Sequence, residues 1–428
     1  MHLVSSRRWR AAAAGAVALT LVLVGCSAEE SFSYTPPEQV DQALPDDTTA
    51  QLQAAVDNAI AETGASGAIV GVWVPWSGTW VTGVGTQSVE DQTPVTTGMT
   101  FRIADVTRMM TCDVLYGLVD DGVVKLDAPV PEYVSGVAEL GDITLLDLCN
   151  GTSGVGSSEN AVRGMWFNTP ERVWAPLELA SFGLGQAPVT PHTTFRDSDS
   201  GYLLLGLALE RASGRSASSL IAEYVAKPLE LAGTSLPGVT PAPPAAENSL
   251  TGSYLPAIEG GYDCTAPIDI TTISSSTGFT DSGVVSTIDD LGRYVQATAG
   301  QALRGDGARP DKYANPLPAS PTAPSWYQAT GGAYLVGSMV GQFGWTPGYA
   351  TAAYSDPATG FTVAVVLNNA TAGSSPAAYL AWELAAIASK APAASGQTAP
   401  EFGLPFTAEQ YHQSITDLAI CATPPPAE

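Results

Sequence analysis

Segments with strand character stand near the two ends of this chain and hardly anywhere between. Residues 68–74 and 79–85 form one pair, joined through the turn sequence Pro75-Trp76-Ser77-Gly78. Residues 333–340, 350–354 and 361–367 form the second group, the last two joined by Ser355-Asp356-Pro357-Ala358-Thr359-Gly360. A helix precedes the first pair over 47–62, with Leu52, Val56 and Ile60 at four-residue spacing and Gly64 as its stop. Another follows the last strand over 376–390. The stretch between reads as helix and loop, with helices over 105–120, 200–212 and 287–299 and one starting at 144. Asp289 and Asp290 fall in the first turn of the third, where the helix dipole favours acids. Few folds accommodate that order. The expected class is α/β in content and α+β in arrangement: a five-stranded antiparallel sheet from both chain ends, flanked by helices, with a helical lobe beside it.

The ends carry separate signals. Arg7, Arg8 and Arg10 precede an apolar stretch over 11–24 that is short for a membrane span of about 20 residues. It closes on Leu23-Val24-Gly25-Cys26, a bacterial lipobox pattern. The expectation is a lipoprotein signal over 1–25, a lipid on the Cys26 thiol, and a place on the extracytoplasmic face of the cell membrane. Residues 26–46 are polar, with Pro36-Pro37 and Pro45, and read as a disordered tether. The main domain is expected over 47–390. A C-terminal extension, 391–428, ends loosely at Pro424-Pro425-Pro426. The formal net charge of −25 excludes electrostatic binding of nucleic acid. Four cysteines besides Cys26 permit two disulfides in three connectivities: Cys112, Cys149, Cys264 and Cys421.

Several motifs then fall in a consistent order. Phe101-Arg102-Ile103-Ala104-Asp105-Val106-Thr107-Arg108 opens the 105–120 helix. Asp121-Gly122-Val123-Val124-Lys125-Leu126-Asp127-Ala128-Pro129-Val130 follows it. Ile143-Thr144-Leu145-Leu146-Asp147-Leu148 leads to Thr152-Ser153-Gly154. Gly201-Tyr202-Leu203-Leu204-Leu205-Gly206 and Gly283-Val284-Val285-Ser286-Thr287 come later. The set resembles the penicillin-recognising serine hydrolases, meaning class C β-lactamases, D-alanyl-D-alanine carboxypeptidases and related esterases, over roughly residues 50–390. The resemblance implies that fold. It also implies that the helices bearing Cys112 and Cys149 lie close together; Cys421 would then pin the C-terminal tail to the loop bearing Cys264.

The catalytic positions do not follow. The family's Ser-x-x-Lys puts a hydroxyl nucleophile and its base one helical turn apart. Asp105 stands at the serine position and Arg108 at the lysine position. A carboxylate is a poor nucleophile that would form a labile anhydride. A guanidinium stays protonated and cannot act as a base near neutrality. The second motif, Tyr-x-Asn, reads Asp197-Ser198-Asp199. The third, His/Lys-Thr-Gly, aligns with Gln342-Phe343-Gly344, followed by Trp345 along the cleft. Other hydroxyls, Thr107, Ser153, Ser198 and Ser200, have no lysine three residues on. His192 sits in a turn, and His412 lies beyond the resembling region.

In that fold Asp105, Arg108, Asp197 and Asp199 are expected to meet in one cleft. Arg108 would bridge Asp105 and reach Asp197 or Asp199, filling the vacated pocket. A cation site is the competing reading, since Asp197 and Asp199 could ligate Ca²⁺ or Mg²⁺. Too few oxygens converge for calcium, and Arg108 would repel the ion, so no metal and no cofactor are expected. The combined expectation is a catalytically inactive envelope lipoprotein. It would be held to the membrane through Cys26, with peptidoglycan or an envelope protein as partner. The alternatives are an active hydrolase with non-standard residues and a structural protein with a vestigial cleft.

Overall fold

The computed structural model describes residues 34–304 and 311–421. The signal segment and Cys26 lie outside the described residues. No described helix is long and apolar enough to cross a membrane.

The chain opens with α1 (Asp46–Thr63), which has two aspartates in its first turn and stops at Gly64, φ +68°. Strands β1 (Gly67–Val74) and β2 (Gly78–Gly85) form an antiparallel hairpin. The helical lobe then runs through α2 (Val106–Asp120), α3 (Leu145–Asn150), α4 (Glu159–Asn168), α5 (Pro176–Leu184) and α6 (Asp199–Ser213). A capping box opens α3: Thr144 accepts from the Asp147 N–H, and the Asp147 carboxylate accepts from the Thr144 N–H. After two short ribbons and a one-turn helix at Phe279–Ser282, α7 (Ile288–Ala299) returns the chain to the sheet.

The second strand group is larger than the sequence suggests. It comprises β3 (Leu317–Pro318), β4 (Tyr327–Thr330), β5 (Ala333–Val336), β6 (Met339–Thr346), β7 (Tyr349–Ser355) and β8 (Thr362–Leu367). The sheet has eight strands, ordered β2-β1-β8-β7-β6-β5-β4-β3, rather than five. The single strand expected over 333–340 is two, because Gly337 takes φ +64° and turns the chain between Val336 and Met339. The third motif therefore lies on β6, where Gly341, Gln342 and Gly344 obscure the strand signal and cross-strand pairing supplies it. Every residue of β7 and β8 is buried, so both sheet faces are covered. Helices α7 and α2 lie on one side. On the other are α1, α8 (Ser375–Ala388) and α9 (Ala408–Asp417).

Both ends pack on the domain over the residues described. Residues 34–46 do not hang free. Tyr34 places its ring 5.2 Å from the Arg293 guanidinium, and Leu44 is buried beside β2. The tail after 390 packs on α8 through Phe406, Tyr411 and Ile415, all buried. Apolar side chains spaced along each polar segment account for both. Disulfides join Cys112 to Cys149 and Cys264 to Cys421. The first ties α2 to α3, and the second ties the tail to the loop before Thr265.

Candidate functional site

The site begins at Ala104, which takes φ +49°, a conformation that costs about 1–3 kcal/mol for a residue with a Cβ. That bend places Asp105 immediately before α2 and turns its side chain onto β6. Gly344 is required opposite it. A Cβ at residue 344 would lie 2.2 Å from Asp105 Cγ. We expect Gly344→Ala to cost about 1–3 kcal/mol in chemical unfolding through this overlap. An unchanged midpoint would mean that Asp105 can turn aside.

Arg108 stands one turn further on α2, and its side chain is 5% exposed. Each edge of its guanidinium is used. Nη2 meets Asp105 Oδ2 at 3.1 Å, Nη1 meets Asp197 Oδ1 at 2.5 Å, and Nε donates to Asp281 Oδ1 at 2.7 Å. The Tyr202 ring of α6 lies 5.0 Å from Arg108 Cζ. Tyr334 of β5 reaches the second Asp197 oxygen at 3.4 Å. The network joins α2, the loop before α6, the 279–282 helix and the sheet.

Asp281 is the member that the sequence did not disclose. It lies two residues before Gly283, on a one-turn helix whose contact with α2 is purely tertiary. Asp199 is absent from the network, contrary to expectation. As the first residue of α6 it points back to the start of α4, accepting from the Ser158 N–H at 2.7 Å and from the Ser158 hydroxyl. Gln342 is buried and, among the described residues, bonds only to backbone. Its Nε2 donates to the Gly332 carbonyl at 2.9 Å, and its Oε1 accepts from the Phe343 N–H at 2.8 Å. Phe343 packs against Tyr334 and Trp382.

Three carboxylates thus share one guanidinium in a site largely closed to water. Burial pushes Asp281 up to about 7, against the pull of Arg108. Burial raises Asp105 as well; Arg108 opposes this, and Asp281 and Asp197 add to it. Burial alone would lower Arg108, but Asp105, Asp197 and Asp281 together hold it above its usual range.

Among the described residues none of the four candidate hydroxyls has a lysine, tyrosine or imidazole as its hydrogen-bond partner. Thr107 accepts from the Val284 N–H, and Ser153 accepts from the Val155 N–H. Ser198 donates to the Gly156 carbonyl and Ser200 faces Asp199. All four residues are buried. His192 pairs with Asp147 and His412 with Glu383. Thr152 shares the Asp147 oxygen with His192 but donates to the carboxylate, not to the imidazole. Among the described residues no group of three or more His, Cys, Asp or Glu is placed to hold a metal ion.

Comparison with known proteins agrees with the architecture. A D-stereospecific amidohydrolase from Streptomyces sp. superposes with a TM-score of 0.65 at 22% identity, covering 76% of this chain and 95% of that one. A penicillin-binding protein homologue from Pyrococcus abyssi gives 0.62 at 20% identity, over 79% and 76%. In sequence, the D-alanyl-D-alanine-carboxypeptidase/endopeptidase AmpH of Escherichia coli K12 is 29% identical over 205 residues, 46% of this chain and 48% of that protein. The match therefore spans about half the relative's length. The model of the beta-lactamase family matches residues 52–387. By that match, which takes in both strand groups, the helical lobe and the Asp105–Arg108 turn, the chain belongs to the beta-lactamase family.

Proposed function

We propose that this protein is a catalytically silent member of the family, carried at the cell envelope on a lipid at Cys26, with a structural or partner-binding role. One observation carries the reading. The guanidinium of Arg108, clasped by Asp105, Asp197 and Asp281, fills the position from which a nucleophile and its base would act. An acyl-transfer site needs a hydroxyl with a proton acceptor beside it. Here the acceptor positions hold a permanent cation and its counter-ions. A filled pocket favours a vestigial catalytic centre over one that binds a small ligand in the same place. The partner is then a cell-wall polymer such as peptidoglycan or an envelope protein, met on another surface.

The competing reading is an active hydrolase with unfamiliar residues, and the hydrolytic relatives keep it in view. Intact-mass measurement of the unlipidated protein after incubation with penicillin and with a fluorophosphonate separates the two. The expected spectrum shows no adduct from a protein confirmed as folded. A mass increase mapped to one Ser or Thr would sink the silent reading and locate the nucleophile.

A further inference from the structure

The open edge of the cleft is closed by the chain itself. Strand β6 pairs with β5 only from Met339 to Gly341, so among the described residues no strand flanks it on that side from Gln342 onward. Gln342 covers the first rung with its own side chain, which takes the Phe343 N–H. Helix α4 covers the end of the strand. The Arg163 guanidinium stands 4.4 Å from the Trp345 ring centre and donates to the Thr371 carbonyl at 3.2 Å. Trp166 meets Trp345 edge-on at 6.0 Å, and Phe167 stacks on it at 6.3 Å while touching Tyr254 at 4.4 Å.

Helix α4 is tied to the strand a second time through Glu159, which is hydrogen-bonded to the Trp345 side chain. Of its ten residues only Val162 and Trp166 are buried. A helix of that length does not persist alone, and elements with few buried side chains open at low cost. Its start is clasped by Asp199 through Ser158. Asp199, diverted from the Arg108 network, is thereby a positioning residue for the cover.

We propose that the Trp345 face is a binding seat for a basic side chain of a partner chain, occupied in cis by Arg163 and uncovered when α4 lifts. The inference rests on the partner-binding reading above and says where that partner enters. Arg163 itself marks the chemistry: a guanidinium lies on an indole that has no other cation over it among the described residues. The net charge of −25 draws a basic segment toward the protein. Whatever displaces Arg163 must offer the same group, so the partner is a protein or peptide presenting an arginine.

Calorimetric titration of the folded domain with tri-arginine amide tests this. Arg163 is half-buried at the surface, so Arg163→Ala leaves the core untouched. It is expected to bind the probe at least about tenfold more tightly than the parent, because the internal competitor is gone. Asp199→Asn, which weakens the clasp on Ser158, moves affinity the same way. It also lowers hydrogen-exchange protection across α4 while leaving α2 unchanged. Adding Trp345→Leu to Arg163→Ala removes the gain. Equal affinity of parent and Arg163→Ala, or a gain that survives Trp345→Leu, overturns the proposal. Acylation by penicillin would instead overturn the silent reading and leave this titration interpretable.

Discussion

Arg108→Met is expected to lose about 3–5 kcal/mol of folding stability at pH 7, measured by urea unfolding. Among the described residues, the guanidinium is the sole cation paired with Asp105, Asp197 and Asp281. Methionine replaces its volume and none of its charge. Two of the three carboxylates are then left in a dry site with no counter-ion, and nothing offsets the cost of their desolvation. Asp197 escapes most of that cost, since its side chain is 55% exposed and can turn to water. Asp105 and Asp281 can respond only by taking up protons, and both already sit above the usual carboxylate range. The deficit should therefore shrink at pH 5 and widen at pH 8. Arg108→Lys keeps one charge but cannot serve three carboxylates from one ammonium, and should fall between parent and methionine. A methionine variant as stable as the parent at pH 7 would show that the cluster is solvated and that Arg108 is not its keystone.

Legibility in the sequence follows a physical division. The helix bearing Asp105 and Arg108, its neighbours and the two strand groups were legible because each carries its own periodicity, cap or turn. The i, i+3 spacing of Asp105 and Arg108 made their contact a local matter. Asp281 was not legible, since its place beside Arg108 depends on how a one-turn helix packs between α2 and α6. Asp199 was assigned to the right helix start but the wrong partner. Its partner is the start of α4, and that contact is set by tertiary packing rather than by local spacing. Strands β3 to β6 were blurred for a related reason. Short segments with Gly, Pro or Gln become strands through the neighbours they pair with, and those neighbours lie elsewhere in the chain.

The same cluster should make the native protein less stable as pH rises. Asp281 has an ordinary value of 3.8 in the unfolded chain and about 7 when folded, because burial penalises its charged form. Between those values the folded state holds a proton that the unfolded state has released. Stability from this group is thus complete below about pH 4 and lost as pH climbs through 7. The full swing is on the order of 4 kcal/mol, since each tenfold gain in proton affinity is worth ~1.36 kcal/mol. Asp105 is raised in the same direction and adds to the slope. Asp281→Asn keeps an oxygen for Arg108 Nε but cannot ionise. Its stability should fall less between pH 5 and pH 8, so that the variant overtakes the parent on the alkaline side. Urea unfolding of both proteins at intervals across that range reads the difference directly. Parallel curves would mean that Asp281 is ionised throughout, with Arg108 outweighing the cost of burying it. The four-residue cluster would then be an ordinary ion network, and the case for a proton held inside it would be lost.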